Sequence, residues 1–242
     1  MKLNSWLDAG LAFFYPNLCQ ICGSQRATSS QGFVCADCRD GIRFIRPPFC
    51  ERCGLPFEGE ITQAFECQNC RDLELEFDSA RAAVVANGVV RDIVHRYKYD
   101  GALWFEPFLA ELLLACAKPW LDSSLPDCLV PVPLHRVKQR EREFNQAERL
   151  AICLRASTGI PIRTDLIERA QPTRTQTLLT RAERHHNVSR AFRTRTPSNL
   201  RGVRCVIVDD VLTTGATTNA CARILRRQGA KEVHVWTVAR GT

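Results

Sequence analysis

Eight of the chain's thirteen cysteines stand in four Cys-x-x-Cys pairs within the first 70 residues: Cys19/Cys22, Cys35/Cys38, Cys50/Cys53 and Cys67/Cys70. A stretch built this way cannot rely on a hydrophobic core, because a module of about 55 residues buries too little surface to offset its chain entropy. Four thiolates on two short turns can instead hold Zn²⁺ tetrahedrally, in a closed structural site with no open position. Metal binding then supplies much of the folding free energy. The pairs are separated by 12, 11 and 13 residues. Consecutive pairs can share a metal, or they can interleave. An internal repeat favours the first arrangement. Cys19-x-x-Cys22-Gly23 followed by Cys35-x-x-Cys38-Arg39-Asp40 returns as Cys50-x-x-Cys53-Gly54 and Cys67-x-x-Cys70-Arg71-Asp72, with a period of 31 to 32 residues. Each copy carries a full ligand set, so the expected zinc sites are Cys19/Cys22/Cys35/Cys38 and Cys50/Cys53/Cys67/Cys70.

The other five cysteines (Cys116, Cys128, Cys153, Cys205, Cys221) lie singly in apolar stretches and read as small buried hydrophobes. An odd total without a secretory signal points to a reducing, cytoplasmic compartment. Leu3, Trp6, Leu7, Leu11 and Phe14 form a helical apolar stripe over residues 1–15, expected to pack on the protein's own body. No run approaches the ~20 apolar residues of a membrane span, so no transmembrane segment is expected. The arginines of residues 16–72 are outnumbered by acids, so the cysteine-rich lobe is a poor nucleic-acid contact on charge alone.

From residue 80 onward, strand and helix signals alternate. Strands are expected at 80–86, 128–133, 203–208 and 232–238, and helices at 104–120, 145–156 and 215–228. This pattern predicts an α/β domain with a mostly parallel sheet flanked by helices, preceded by a small double zinc-ribbon lobe. The expected organisation is a helix over 1–15, a double zinc ribbon over 16–75 and the α/β domain over 76–242. Ligands of such sheets bind at the carboxyl ends of the strands. There the apolar run Cys205–Val208 leads into Asp209, Asp210, Thr213, Thr214, Gly215, Ala216, Thr217 and Thr218. A threonine- and glycine-rich turn that opens a helix collects N–H groups and hydroxyls around an anion. Two carboxylates beside it make sense for a phosphorylated ligand that also offers hydroxyls or Mg²⁺. A Walker A loop is excluded, since its Gly-Lys-Ser/Thr signature is absent.

Val206–Thr218 resembles the phosphoribosyl-pyrophosphate (PRPP) motif of type I phosphoribosyltransferases. More narrowly, the chain resembles the ComF family, whose members include competence-associated and amidophosphoribosyltransferase-like proteins. The resemblance is carried by the double cysteine ribbon, Tyr97-Lys98-Tyr99-Asp100-Gly101, Val130-Pro131-Val132-Pro133-Leu134-His135, Phe144-Asn145-Gln146-Ala147-Glu148, Arg181-Ala182-Glu183-Arg184, Asn187-Val188, Ala191-Phe192 and the PRPP loop. It implies that Asp209 and Asp210, as the catalytic pair, hold the ribose 2′- and 3′-hydroxyls directly or through Mg²⁺. Thr213, Thr214, Gly215, Ala216 and Thr217 would wrap the 5′-phosphate. Val132, Pro133, Leu134, His135 and Arg136 would face the pyrophosphate, and a mobile loop carrying Gln176, Arg181, Arg184 and Asn187 would close over the site. The implied reaction is displacement of pyrophosphate from PRPP by a nitrogen nucleophile. Two residues depart from the family pattern: Glu143 and Leu178 stand where glycine is common.

The charge is unevenly placed. Residues 134–204 carry a net +10, while the rest of the chain carries −3, against a total of +7. Nearly all of the excess is arginine, whose fork matches phosphate oxygens. One small anionic ligand does not need ten charges, so single-stranded DNA along the 134–204 stretch is a second expected partner. The few aromatics there give no sign of sequence reading. Two functions therefore compete: a PRPP-dependent transferase, and a non-catalytic accessory protein that binds PRPP or single-stranded DNA during DNA uptake, with competence-machinery proteins as further partners.

Overall fold

The computed structural model describes residues 17–171, apart from 60, 62 and 72, and residues 191–241. The apolar stripe of residues 1–15 lies outside the described residues, as do Gln176, Leu178, Arg181, Arg184 and Asn187.

A strand apolar on both faces is stable only where both faces are covered. The run Cys205–Val208 meets that condition in the middle of a parallel sheet of four strands: β1 (Ser79–Val85), β2 (Cys128–Pro131), β5 (Arg204–Leu212) and β6 (Glu232–Arg240), in the order β1-β6-β5-β2. Val206 and Val208 of β5 face a core built from α3 (Gly88–Tyr99), α4 (Glu106–Ser124) and α6 (Gln146–Thr158), through Ile93, Phe108, Leu113 and Leu154. Cys205 and Ile207 face the opposite core, where α7 (Ala216–Arg227) contributes Cys221 and Leu225. Of the five single cysteines, Cys128, Cys205 and Cys221 are buried and Cys116 and Cys153 partly so, as small hydrophobes should be.

The expected strands and helices are present, with ends shifted by up to four residues in either direction. β5 extends through Asp209 and Asp210 to Leu212, because β6 continues to pair with it as far as Leu212↔Arg240. Helix α3 was not anticipated, although Val90, Ile93, Val94 and Tyr97 form its buried stripe. Nor were the short α5 (Arg136–Arg142) and the antiparallel pair β3 (Ile167–Arg169) and β4 (Phe192–Thr194), which are too brief for periodicity to show. Glu143 caps α5 at φ 65°, the left-handed conformation that glycine takes freely and that costs other residues about 1–2 kcal/mol. The departure from glycine at 143 is therefore a local strain.

The cysteine-rich lobe contains two short helices, α1 (Ala36–Asp40) and α2 (Gln68–Arg71), and packs directly on the sheet. β1 is an edge strand, and edge strands invite unwanted pairing. Here the lobe covers it. Ile45 N–H donates to Ala83 O at 2.9 Å, Val85 N–H to Arg43 O at 2.9 Å, and Ala80 N–H to Arg52 O at 2.8 Å. Gly54, with φ +66°, sits so close that a Cβ would lie 2.5 Å from Ala80 O. Gly23 has a similar φ of +69° but open space around it. Gly23→Ala should thus cost only the left-handed strain, about 1 kcal/mol, whereas Gly54→Ala should cost about 2–3 kcal/mol by adding a clash with β1. Denaturant unfolding of the zinc-loaded protein measures both, and equal losses would show that the contact with β1 carries no weight.

Candidate functional site

The structure groups the paired cysteines by repeat. In the first set, Cys19 and Cys38 Sγ are 3.8 Å apart, as are Cys22 and Cys35 Sγ. In the second, the Sγ separations are 3.8 Å for Cys50–Cys70, 3.7 Å for Cys53–Cys67 and 3.6 Å for Cys67–Cys70. Four sulfurs placed tetrahedrally about 2.3 Å from one zinc are about 3.8 Å from each other, so both sets have the dimensions of a closed zinc site. The backbone supports them: Cys35 N–H donates to Cys19 Sγ at 3.4 Å and Cys67 N–H to Cys50 Sγ at 3.2 Å. Each set comes from one copy of the repeat, so the pairs are consecutive and not interleaved.

The second site lies where β5 outruns β2. Their pairing ends at Pro131↔Val208, and Val132 N–H makes a last bond to Val208 O at 3.0 Å. Beyond it β5 has β6 on one side only, and the loop 132–135 turns away to open a cleft. Adjacent strand residues face opposite ways, so the two aspartates diverge. Asp210 follows Val206 and Val208 toward α3, where Lys98 Nζ meets its Oδ1 at 2.8 Å. Asp209 follows Cys205 and Ile207 toward α7; its Oδ1 accepts Asp210 N–H at 2.9 Å. Asp210 Oδ1 also accepts Val211 N–H at 2.7 Å, but its buried Oδ2 has no hydrogen-bond partner among the described residues.

A cavity of about 260 Å³ brings Asp209, Asp210, Val132, Leu134, Thr213 and Thr217 together. It adds residues that the sequence reading did not assign: Lys98, Lys138, Arg142, Asn145, Gln146 and Arg169. Of these, Lys98 was within reach, as part of the Tyr97–Gly101 word. The contact of half-buried Asn145 with the 132–135 loop was not. Its Oδ1 caps α6 by accepting Ala147 N–H at 3.1 Å, while its Nδ2 donates to Val132 O at 3.1 Å and so holds the loop. A second cavity of about 320 Å³ shares Leu134, Asn145 and Arg169 with the first and is lined by Pro133, Arg136 and Arg195. His135 caps α5, its Nδ1 accepting Val137 N–H at 3.3 Å. Gly215 starts α7 at φ +78°, and Thr214 Oγ1 accepts Ala216 N–H at 3.4 Å, which closes the threonine turn.

Burial and close charges act on Asp209 and Lys98. Burial and the adjacent Asp210 push Asp209 up to about 7, against the pull of Lys98. Burial works against the Lys98 ammonium, but Asp210 and then Asp209 outweigh it and hold Lys98 above its ordinary value. An oxygen-ligated divalent cation suits two adjacent carboxylates of which one buried oxygen, Asp210 Oδ2, is unpartnered among the described residues.

A zinc-ribbon lobe on a parallel α/β sheet with a carboxylate-threonine cleft defines a phosphoribosyltransferase-type domain with an N-terminal metal module. Residues 10–72 match the double zinc ribbon domain and residues 138–242 the phosphoribosyl transferase domain. The chain is 30% identical to competence protein F of Haemophilus influenzae over 94% of its own length and 98% of the relative's. It is 32% identical to the DNA utilization protein YhgH of Salmonella typhimurium (93% and 97%) and 29% identical to competence protein ComFC of Bacillus subtilis (86% and 84%). The chain belongs to the ComF family of competence protein F. No helix among the described residues is long and apolar enough to cross a membrane.

Two outcomes follow from this geometry. Purified protein should carry about two zinc ions per chain by elemental analysis; a value near zero would be incompatible with the sulfur tetrahedra. Because the folded state raises Asp209 from 3.8 to about 7, its contribution to stability is full in acid and is lost as pH rises through about 7. Asp209→Asn should flatten that part of the stability–pH curve. An unchanged slope in the variant would show that Asp209 titrates normally.

Proposed function

We propose that this chain binds PRPP in the cleft beside Asp209 and Asp210 and acts as a phosphoribosyltransferase, displacing pyrophosphate with a nitrogen nucleophile in the service of DNA utilisation. The observation that carries the reading is the composition of one cavity: acidic on the β5 side, basic on the side of Lys138, Arg142 and Arg169. A phosphorylated sugar with vicinal hydroxyls has matching halves. Asp209 and Asp210 would take the ribose hydroxyls, Thr213–Thr217 the 5′-phosphate at the start of α7, and Val132–Arg136 the pyrophosphate. Asp209 and Asp210 would also hold Mg²⁺, which supplies charge neutralisation at the leaving pyrophosphate. Loss of pyrophosphate leaves positive charge on the sugar, which the carboxylates of the cleft would stabilise. Lys98 holds Asp210 in orientation through its 2.8 Å ion pair. On this reading residues 1–15, 16–75 and 76–242 are an amphipathic helix, a zinc ribbon and the transferase unit, and the loop carrying Gln176, Arg181, Arg184 and Asn187 closes the site from water.

The names of the relatives, together with the exposed Arg140 and Arg195 outside the main cavity, favour a second reading: a protein that binds PRPP and single-stranded DNA without turnover. Titration with PRPP and Mg²⁺, with and without single-stranded DNA, distinguishes the two when pyrophosphate release is followed in parallel with candidate amines. Asp210→Asn should weaken PRPP binding at least tenfold, by leaving Lys98 without its partner and removing a hydroxyl acceptor. Binding of wild-type strength in the Asp209→Asn/Asp210→Asn double variant would refute the assignment of the cleft. Binding without pyrophosphate release would leave the accessory reading.

A further inference from the structure

We propose that the second cysteine cluster is an energetic part of the phosphate turn, joined to it by Arg240, so that zinc at Cys50/Cys53/Cys67/Cys70 and ligand at Thr213–Thr217 bind with positive coupling. The identity of that ligand rests on the PRPP reading above; the mechanical link does not.

Arg240 ends β6 opposite Leu212 and is only 4% exposed. Its guanidinium spans two parts of the molecule. Toward the cluster, Nε donates to Cys53 O at 3.2 Å and Nη2 to Cys53 Sγ at 3.7 Å. Toward the turn, Nη1 donates to Leu212 O at 3.0 Å, to Thr213 O at 2.5 Å and to Gly241 O. Leu212 and Thr213 are the residues through which β5 enters the threonine turn. Cluster and turn are packed together around this side chain: the gap between Cys53, Cys70, Phe77, Thr214, Gly215 and Arg240 is about 10 Å³, room for at most one water. The segment between them is also fastened, since Asn219 of α7 accepts Glu76 N–H at 2.6 Å and donates to Glu74 O at 3.0 Å.

A buried arginine needs a counter-charge, and among the described residues no carboxylate bonds to Arg240; its oxygen partners are all backbone carbonyls. A tetrathiolate zinc site carries a net charge of about −2, so the loaded cluster supplies what the carboxylates do not. It also fixes the position of Cys53, whose carbonyl and sulfur are two of the fork's partners. Without the metal nothing anchors that end of the fork, and Leu212 and Thr213 lose a rigid donor. Conversely, a ligand that orders the turn keeps the fork in register with Cys53 and so favours the closed tetrahedron. Such coupling is reciprocal by linkage. Among the described residues the first cluster has no counterpart to this arginine. Its contacts run to α4, through Arg39–Glu111 at 2.7 Å, and to α3, through Arg96 Nη1 donating to Gln20 O at 2.5 Å.

The test uses the full-length, zinc-loaded chain. Zinc release to a chromogenic chelator is followed with and without PRPP and Mg²⁺, and alkylation with mass spectrometry identifies which cysteines become free. One zinc, that of Cys50/Cys53/Cys67/Cys70, should leave about tenfold more slowly with PRPP present, and the other at an unchanged rate. Independently of any ligand, amide hydrogen exchange over residues 212–218 should quicken about tenfold once that zinc has been removed, with α6 unchanged. Arg240→Lys, which keeps the charge but not the fork, should abolish the protection by PRPP while both zinc ions stay bound. If PRPP gives no binding heat, the PRPP reading fails and the exchange measurement alone decides the link. Unchanged exchange over 212–218 in the one-zinc protein overturns the proposal, and that experiment needs no variant to fold.

Discussion

β5 runs from Asp209 to Leu212 past the end of β2, with β6 on one side and, among the described residues, no strand on the other. Most of the functional face depends on that difference in length. It leaves room for the 132–135 loop to turn away and open a cleft. It keeps the aspartates in extended backbone, where neighbouring side chains must point to opposite faces. Asp210 is thereby delivered to Lys98, and Asp209 to the α7 side. Consecutive carboxylates on a strand leave the backbone toward opposite faces, yet both line one cavity, and Asp210 still pushes Asp209 upward.

The metal lobe and the sheet need each other. A module held by two cysteine tetrahedra has little core of its own, and β1 would otherwise present an open edge. Backbone bonds from Arg43, Ile45 and Arg52 meet that edge, and Gly54 allows the knuckle to approach where any Cβ would collide. The second cluster thus sits a few ångströms behind the threonine turn instead of being tethered at a distance, and Arg240 fills the space between.

The positive charge is partly consumed within the fold. Two of its arginines meet acids from outside residues 134–204: Arg149 pairs with Glu106, and Arg204 with Asp127 at 3.7 Å. Lys138, Arg142 and Arg169 turn toward the main cavity, and Arg142 lies over the exposed ring of Tyr99 at 4.8 Å. A net charge counted along a segment therefore overstates the field available to a nucleic acid, because acids distant in sequence return to meet it. Glu106 lies 43 positions from Arg149.

Local patterns in the sequence were enough for the ligand grouping of the eight cysteines, the alternation that makes a parallel sheet, and the carboxylate-threonine segment. Each depends on spacing within a few residues or on an internal repeat, and spacing survives without knowledge of the fold. Lys98 reaching Asp210, Asn145 holding Val132 and Arg240 bridging Cys53 to Thr213 depend on which distant segments become neighbours. No periodicity encodes those contacts. Even the strand ends followed this division: Val203–Val208 was visible as an apolar run, but its continuation to Leu212 required β6 alongside to satisfy the backbone of residues that look like a loop. The sequence by itself determined which chemistries this chain carries; tertiary structure alone decided which of them share a cavity and which is wired to the zinc, because hydrogen bonds and burial join residues far apart along the chain.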